Sequence, residues 1–196
     1  MMKTIVKDTL RLVVITLCAA ICLSFVHEIT AETIETAEAE ERAASYRKVF
    51  PEASSFEPAE SYPLPELPSG VSIGELLYAV NSSGERIGCV ISATSANGYV
   101  GDITLSVGID SSCTVTGMTV TAMSETSGLG SHCQDEDFQE QFKGIAGEVE
   151  YVKDGRTAPN EIDMISGATF TTRAVTEAVN GALSTAAELF DGGDAQ

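Results

Sequence analysis

Residues 12–26 read LVVITLCAAICLSFV, fifteen positions without a charge. Leu10 and Ile29 extend the apolar run, and the Arg11 side chain is long enough to snorkel towards an interface. The stretch therefore reaches about the 20 residues that a bilayer-crossing helix needs. Lys3, Lys7 and Arg11 precede it, while Glu28, Glu32 and Glu35 come after it. Basic flanks stay cytoplasmic, so the rest of the chain is expected on the extracytoplasmic side of the cell (inner) membrane. A cleaved signal peptide is the competing reading, but His27, Glu28 and Ile29 stand where a small-x-small cleavage site would succeed the apolar run. A lipoprotein anchor needs small residues directly before Cys18 or Cys22, and Leu17 and Ile21 occupy those positions. The expectation is an uncleaved single span that remains as an anchor.

Charge narrows the function of the remaining chain. Three of the eleven bases and one of the 29 acids, Asp8, lie in the first eleven residues, which leaves eight bases, 28 acids and a net charge of −20. A body that acidic repels phosphate backbones, which argues against nucleic-acid binding. The five cysteines divide into Cys18 and Cys22 in the span and Cys89, Cys113 and Cys133 beyond it. Three thiols in an exported domain cannot all pair with one another. His132 and Cys133 are adjacent candidate ligands without a four-ligand pattern, so no metal site is expected.

Residues 31–50 hold no Gly or Pro and are rich in Ala and Glu, which favours a helical stalk continuing the span. Five of the six prolines fall between Pro51 and Pro68, the mark of an extended linker or wrapping segment. Short alternating runs at 75–81, 86–94, 99–109 and 115–123 predict strands, with turns at 82–84 and 96–98. A short helix is expected over 135–142 with Ser131 as a candidate cap, and a further strand over 147–152. Val175, Ala178, Val179, Ala182, Leu183, Ala186 and Leu189 share one face of a terminal helix, which Thr171 or Thr172 would cap. The expected fold is α+β: an anchor over 1–30, a helical stalk and linker over 31–69, and a domain over 70–196 built from an antiparallel sheet and a C-terminal helix.

Two segments could carry chemistry. Before the terminal helix stands Asp163-Met-Ile-Ser166-Gly167-Ala168-Thr169, a small-residue turn running into a helix amino terminus. Free N–H groups and the helix dipole suit an anion there. Thr169 adds a hydroxyl, and Arg173 lies one turn on, able to pair with a phosphate. The same letters also fit an ordinary capped helix start. The second segment, 123–130, sets Leu129 between Gly128 and Gly130 after a strand, able to lie against a flat ligand or simply to connect. No general base, nucleophilic dyad or metal cluster stands out, so no catalytic residue is expected.

Taken together, Asp163, the SGAT of 166–169, the adjoining TTRAV and the ETSGLG of 125–130 resemble the family of domains whose FMN is joined to threonine by a phosphoester. QFKG at 141–144 and SYRKVFPEA at 45–53 match as well, and the likeness runs over nearly the whole chain. Within that family it is nearest to the G-type component of Rnf electron-transport complexes. The C-type component of sodium-pumping NADH:quinone oxidoreductases, a longer protein, ranks second. One departure is Ser127, where the family loop usually has proline. The resemblance implies covalent FMN on Thr169, attached by a separate flavin transferase. That transferase would recognise the run Asp163-x-x-Ser166-Gly167-Ala168-Thr169, with Asp163 and Ser166 as recognition or positioning residues. Glu125, Thr126 and Leu129 would lie near the isoalloxazine ring. From the residues alone, Gly167 and Ala168 let a ligand come close. The resemblance also implies an electron-transfer subunit of an ion-translocating ferredoxin:NAD oxidoreductase, partnered by other membrane subunits. A stand-alone anchored flavoprotein is the alternative. The acidity agrees with covalency, because a body without a basic cluster is a poor non-covalent trap for a phosphate.

Overall fold

The computed structural model describes residues 2–153 and 155–191. The chain divides into two compact units, Met1–Ala43 and Ala44–Gln196. Helix α1 (Met2–Val49) supplies the first unit and the opening turns of the second. Within it Thr9–Thr30, 22 residues long, contains an 18-residue window of mean hydropathy 2.3. At 1.5 Å per residue the whole segment is about 33 Å, long and apolar enough to cross a bilayer. Two of its threonine hydroxyls are satisfied within the helix: Thr16 donates to the carbonyl of Leu12 (3.0 Å) and Thr30 to the carbonyl of Val26 (2.9 Å). That is the arrangement a hydroxyl requires in lipid.

The second unit is built on a five-stranded antiparallel sheet in the order β1 (Ser55–Pro58), β2 (Val71–Val80), β3 (Arg86–Ser95), β4 (Ile103–Asp110) and β5 (Val115–Met123). Period-2 alternation sends Ile103, Leu105, Val107 and Ile109 of β4 to one face, where they are buried with Ile91 and Ala93 of β3. The stripe Ala174, Val175, Ala178, Val179, Ala182, Leu183 and Ala186 of α3 (Thr169–Asp191) closes on that face. Removing a side chain such as Leu105 to Ala would cost about 2–5 kcal/mol.

The opposite face carries the end of α1. Val49 and Phe50 are buried with Ala79 and Val90. Gly108 and Gly117, paired across β4 and β5, make room for them; a Cβ on Gly108 would sit 2.4 Å from the Val49 carbonyl oxygen. The Thr116 hydroxyl donates to that same oxygen at 2.6 Å.

Several elements differ from the sequence expectation. The folded unit begins at Ala44, and part of the proline-rich stretch is the edge strand β1, where the missing N–H of Pro58 is tolerated. Strand β2 starts at Val71 rather than 75, and β4 at Ile103 rather than 99, because Tyr99–Gly101 lie in a turn. The stretch 135–142 is broken into α2 (Glu136–Gln139) and a 3-10 turn at Glu140–Phe142. Ser131 caps nothing: it lies inside the 3-10 turn Gly130–Gln134 and its hydroxyl accepts from the Gly128 N–H at 2.9 Å. Of 147–152 only β6 (Glu150–Val152) is a strand, and it pairs in parallel with β7 (Glu161–Asp163). Helix α3 begins two residues before its expected caps, so Thr171 and Thr172 sit buried in its first turn. The Ala168 carbonyl opens the helix instead, accepting the Thr172 N–H at 3.0 Å.

Candidate functional site

The turn before α3 is fixed from within. The Ala168 N–H donates to the Ile165 carbonyl at 3.0 Å, and Gly167 takes φ +79°, a conformation that disfavours any side chain. The buried Thr172 hydroxyl joins turn to helix: it accepts the Ile165 N–H and donates to the Ala168 carbonyl, both at 3.0 Å. Thr169 is thereby the first residue of α3 and exposed. The leading N–H groups of an α-helix have no intrahelical acceptor, so this end presents donors and a positive dipole beside the Thr169 hydroxyl.

The loop after β5 reaches the same place. Glu125 is half-buried and its two carboxylate oxygens are divided. Oε1 accepts the N–H groups of Tyr99 (2.8 Å) and Val100 (3.3 Å), while Oε2 accepts the Thr171 hydroxyl (3.0 Å). Glycines make room for it. A Cβ on Gly130 would lie 2.5 Å from Oε2, and one on Gly98 would lie 2.7 Å from Oε1 and 2.1 Å from the Gly101 carbonyl. The Thr126 carbonyl accepts the N–H groups of Leu129 and Ser131, both at 3.2 Å, which turns Leu129 outward, 46% exposed.

Between these elements lies a cleft of about 330 Å³, lined by Tyr99, Glu125, Thr126, Leu129, Gly130, Gly167, Ala168, Thr169, Phe170 and Thr171. It is within the ~300–1,000 Å³ range of small-molecule sites. Six of the sequence-derived residues therefore meet: Glu125, Thr126, Leu129, Gly167, Ala168 and Thr169. Three do not line it. Ser166 is exposed on the turn. The Asp163 carboxylate is taken by the Gly155 N–H (3.1 Å) and the Arg156 guanidinium (Nε 3.4 Å). Arg173 lies with its guanidinium carbon 5.2 Å from the Phe170 ring centre and its Nε 3.7 Å from Glu177 Oε1.

Sequence reasoning misses Tyr99 and Phe170, whose rings stand 6.1 Å apart at 45° on the cleft wall. Phe170 carries a signal: it falls off the apolar stripe of α3 and lies directly behind the SGAT turn. Thr171, expected as a cap, instead holds Glu125.

Beneath the loop Cys133 is fully buried, its Sγ donating to Met123 Sδ at 3.4 Å. Burial, reinforced by the nearby Glu125 and Asp135 carboxylates, pushes its thiol up to about 11. It is a neutral packing group rather than a nucleophile. Among the described residues no three His, Cys, Asp or Glu side chains are placed to hold a metal ion.

These features coincide with two known families. Residues 98–184 match the FMN-binding domain family, a span that opens at Gly98 and takes in the whole cleft, and residues 1–49 match the RnfG N-terminal region. The chain is 32% identical over 189 residues to the G component of the Na(+)-translocating ferredoxin:NAD(+) oxidoreductase complex of Acetobacterium woodii, covering 91% of this chain and 89% of that one. It is 31% identical over 183 residues to the G component of the ion-translocating oxidoreductase complex of Methanosarcina acetivorans, covering 92% and 94%. In fold it resembles the crystal structure of NqrC from Shewanella oneidensis, with a TM-score of 0.53 at 19% identity over 73% of this chain and 72% of the other. The chain belongs to the RnfG family of ion-translocating oxidoreductase (Rnf) complex subunits and carries that family's FMN-binding domain.

Proposed function

We propose that this chain is the electron-carrying subunit of an ion-translocating ferredoxin:NAD oxidoreductase complex, with FMN esterified through its phosphate to Thr169. The observation that carries the reading is the position of the Thr169 hydroxyl: exposed, first in α3, and in one cleft wall with Glu125, Thr126 and Leu129.

The residues present fit FMN. A phosphate on Thr169 would meet the leading N–H groups of α3, where a negative charge gains about 0.3–1 kcal/mol. Gly167 leaves the approach clear, since a Cβ there would sit 3.3 Å from Leu129 Cδ2. Leu129 and the two aromatic rings offer apolar surface to a flat ring system. When bound, the flavin supplies the redox chemistry. The protein's share is to hold it, orient it and keep it from dissociating. Glu125 has both oxygens engaged by the protein, so it shapes the cleft.

Asp163 and Ser166 lie outside the cleft, on the approach to the attachment turn. We assign them to recognition by the flavin transferase that matures the protein. Arg173 stays one turn along α3, where it adds positive potential beside the phosphate.

The basic residues before the apolar helix and the acidic ones after it favour a flavin domain on the extracytoplasmic side of the cell membrane, beside the other subunits of the complex. The test is the intact mass of the full chain expressed with a flavin transferase and exported. A mass raised by one esterified FMN, with co-purification of the other subunits from native membranes, supports the reading. A mass equal to the bare chain in that host contradicts it.

A further inference from the structure

Two aromatic side chains stand in water at the cleft. Tyr99 is 70% exposed and Phe170 53%, and neither packs into the core. The backbone beneath them is nevertheless held tightly. Glu125 Oε1 takes the N–H groups of Tyr99 and Val100, and Oε2 takes the hydroxyl of Thr171, the residue after Phe170. One carboxylate thus has an oxygen on each wall, and its span sets the separation of the two rings. Gly98 keeps the Tyr99 turn tight enough for this, since no Cβ fits there.

Large apolar faces held in solvent at the rim of a ligand-sized cleft mark a surface built for an occupant. Their aromatic character suits a flat, conjugated ring, which gains from stacking beyond the area it buries. We propose that Tyr99 is the platform on which the isoalloxazine ring of FMN lies, with Phe170 as its flank. Glu125 is a positioning residue that fixes both through the Tyr99 turn and Thr171. This inference rests on the reading that FMN occupies the cleft.

The experiment measures flavin fluorescence lifetimes in the full-length, flavin-loaded protein. A flavin stacked on tyrosine is strongly quenched, so short- and long-lifetime amplitudes report the stacked and unstacked populations. Tyr99→Leu replaces an exposed side chain, and the variant should fold and load flavin. Its stacked-to-unstacked ratio should fall about fivefold or more, the scale of ring–aromatic stacking seen on aromatic truncation. Tyr99→Trp restores a platform and a quencher and should return the short lifetime. Glu125→Gln leaves Tyr99 in place but presents an amide NH₂ to one set of donors, so the long-lifetime fraction should rise there too. Thr171→Ser keeps the hydroxyl and should match wild type, whereas Thr171→Val should resemble Glu125→Gln.

A flavin-loaded wild type whose lifetimes are unchanged by Tyr99→Leu overturns the platform. A response to Tyr99→Leu without one to Glu125→Gln overturns the positioning role alone. A wild type that carries no flavin in a competent host overturns the functional reading, and this inference with it.

Discussion

Glu125 and Thr171 are 46 positions apart in sequence and joined by a 3.0 Å hydrogen bond, the Thr171 hydroxyl donating to Oε2. The bond ties the loop after β5 to the first turn of α3. Because the other oxygen holds the Tyr99 turn, three separate stretches of chain converge on one side chain. Thr171 is thus a cleft residue and no neutral neighbour of Thr169, and removing its hydroxyl should disturb the site without abolishing attachment.

Gly130→Ala tests that convergence from the inside. The new methyl would sit 2.5 Å from Glu125 Oε2 and 2.7 Å from the Thr171 hydroxyl, so one of them must move. Thermal unfolding should show a loss of about 1–3 kcal/mol, the usual cost of overpacking a tight site. An unchanged melting temperature would mean that the loop gives way freely.

Thr172→Val should destabilise the turn that carries the cleft residues Gly167 and Ala168. Its buried hydroxyl closes two hydrogen bonds at 3.0 Å, to the Ile165 N–H and the Ala168 carbonyl. Leaving a buried donor unpaired costs about 1–3 kcal/mol. Chemical denaturation would read that as a lower midpoint at constant slope.

The end of α1 belongs to the flavin domain. A domain starting at Ala44 should fold, while one starting at Gly70 loses Val49, Phe50 and β1 and bares the face of Gly108 and Gly117. The single substitution Phe50→Ala isolates the effect, at about 3–5 kcal/mol. Equal stability of the two truncations would place the domain boundary at the linker after all.

Thiol chemistry should separate the domain's cysteines. Burial, and then the nearby Cys113, pushes Cys89 up to about 12; Cys133 is held at about 11, chiefly by burial. Both are buried and should resist alkylation at pH 8, leaving the half-buried Cys113 as the domain's reactive thiol. Because the folded values are raised, their stabilisation is complete below the unfolded value of about 8.5 and is lost as pH rises through 11–12. The domain should therefore lose stability at high pH, and Cys89→Ala should flatten that loss.

The terminal helix is legible in the sequence because period 3.6 in α3 states which face is covered. The strands are legible as β-prone runs between turn residues. The middle of β3 and β4 is buried on both faces, where α3 covers one side and Val49 and Phe50 the other. Strand β1 is hidden in a proline-rich stretch, since an edge strand needs few donors and leaves no alternating pattern over four residues. Tyr99 reads as part of a strand because apolar and β-prone residues look alike to periodicity. Only the Gly98 turn and its bond to Glu125 show it standing at a rim. The SGAT turn and the Glu125 loop stand out locally as chemistry-bearing segments. Their meeting in one cleft depends on the order of the strands, which no local pattern contains.

Everything proposed for the flavin turns on the bond to Thr169. Its hydroxyl is exposed and lies ahead of the interactions made by Thr171 and Thr172, so Thr169→Ala should change stability by no more than about 0.5 kcal/mol. In-gel flavin fluorescence after denaturation reads the covalent bond, with full-length chain expressed beside a flavin transferase and exported. The expected result is a fluorescent wild-type band, a dark Thr169→Ala band of equal abundance, and at least partial fluorescence for Thr169→Ser. A fluorescent Thr169→Ala band would contradict the assignment.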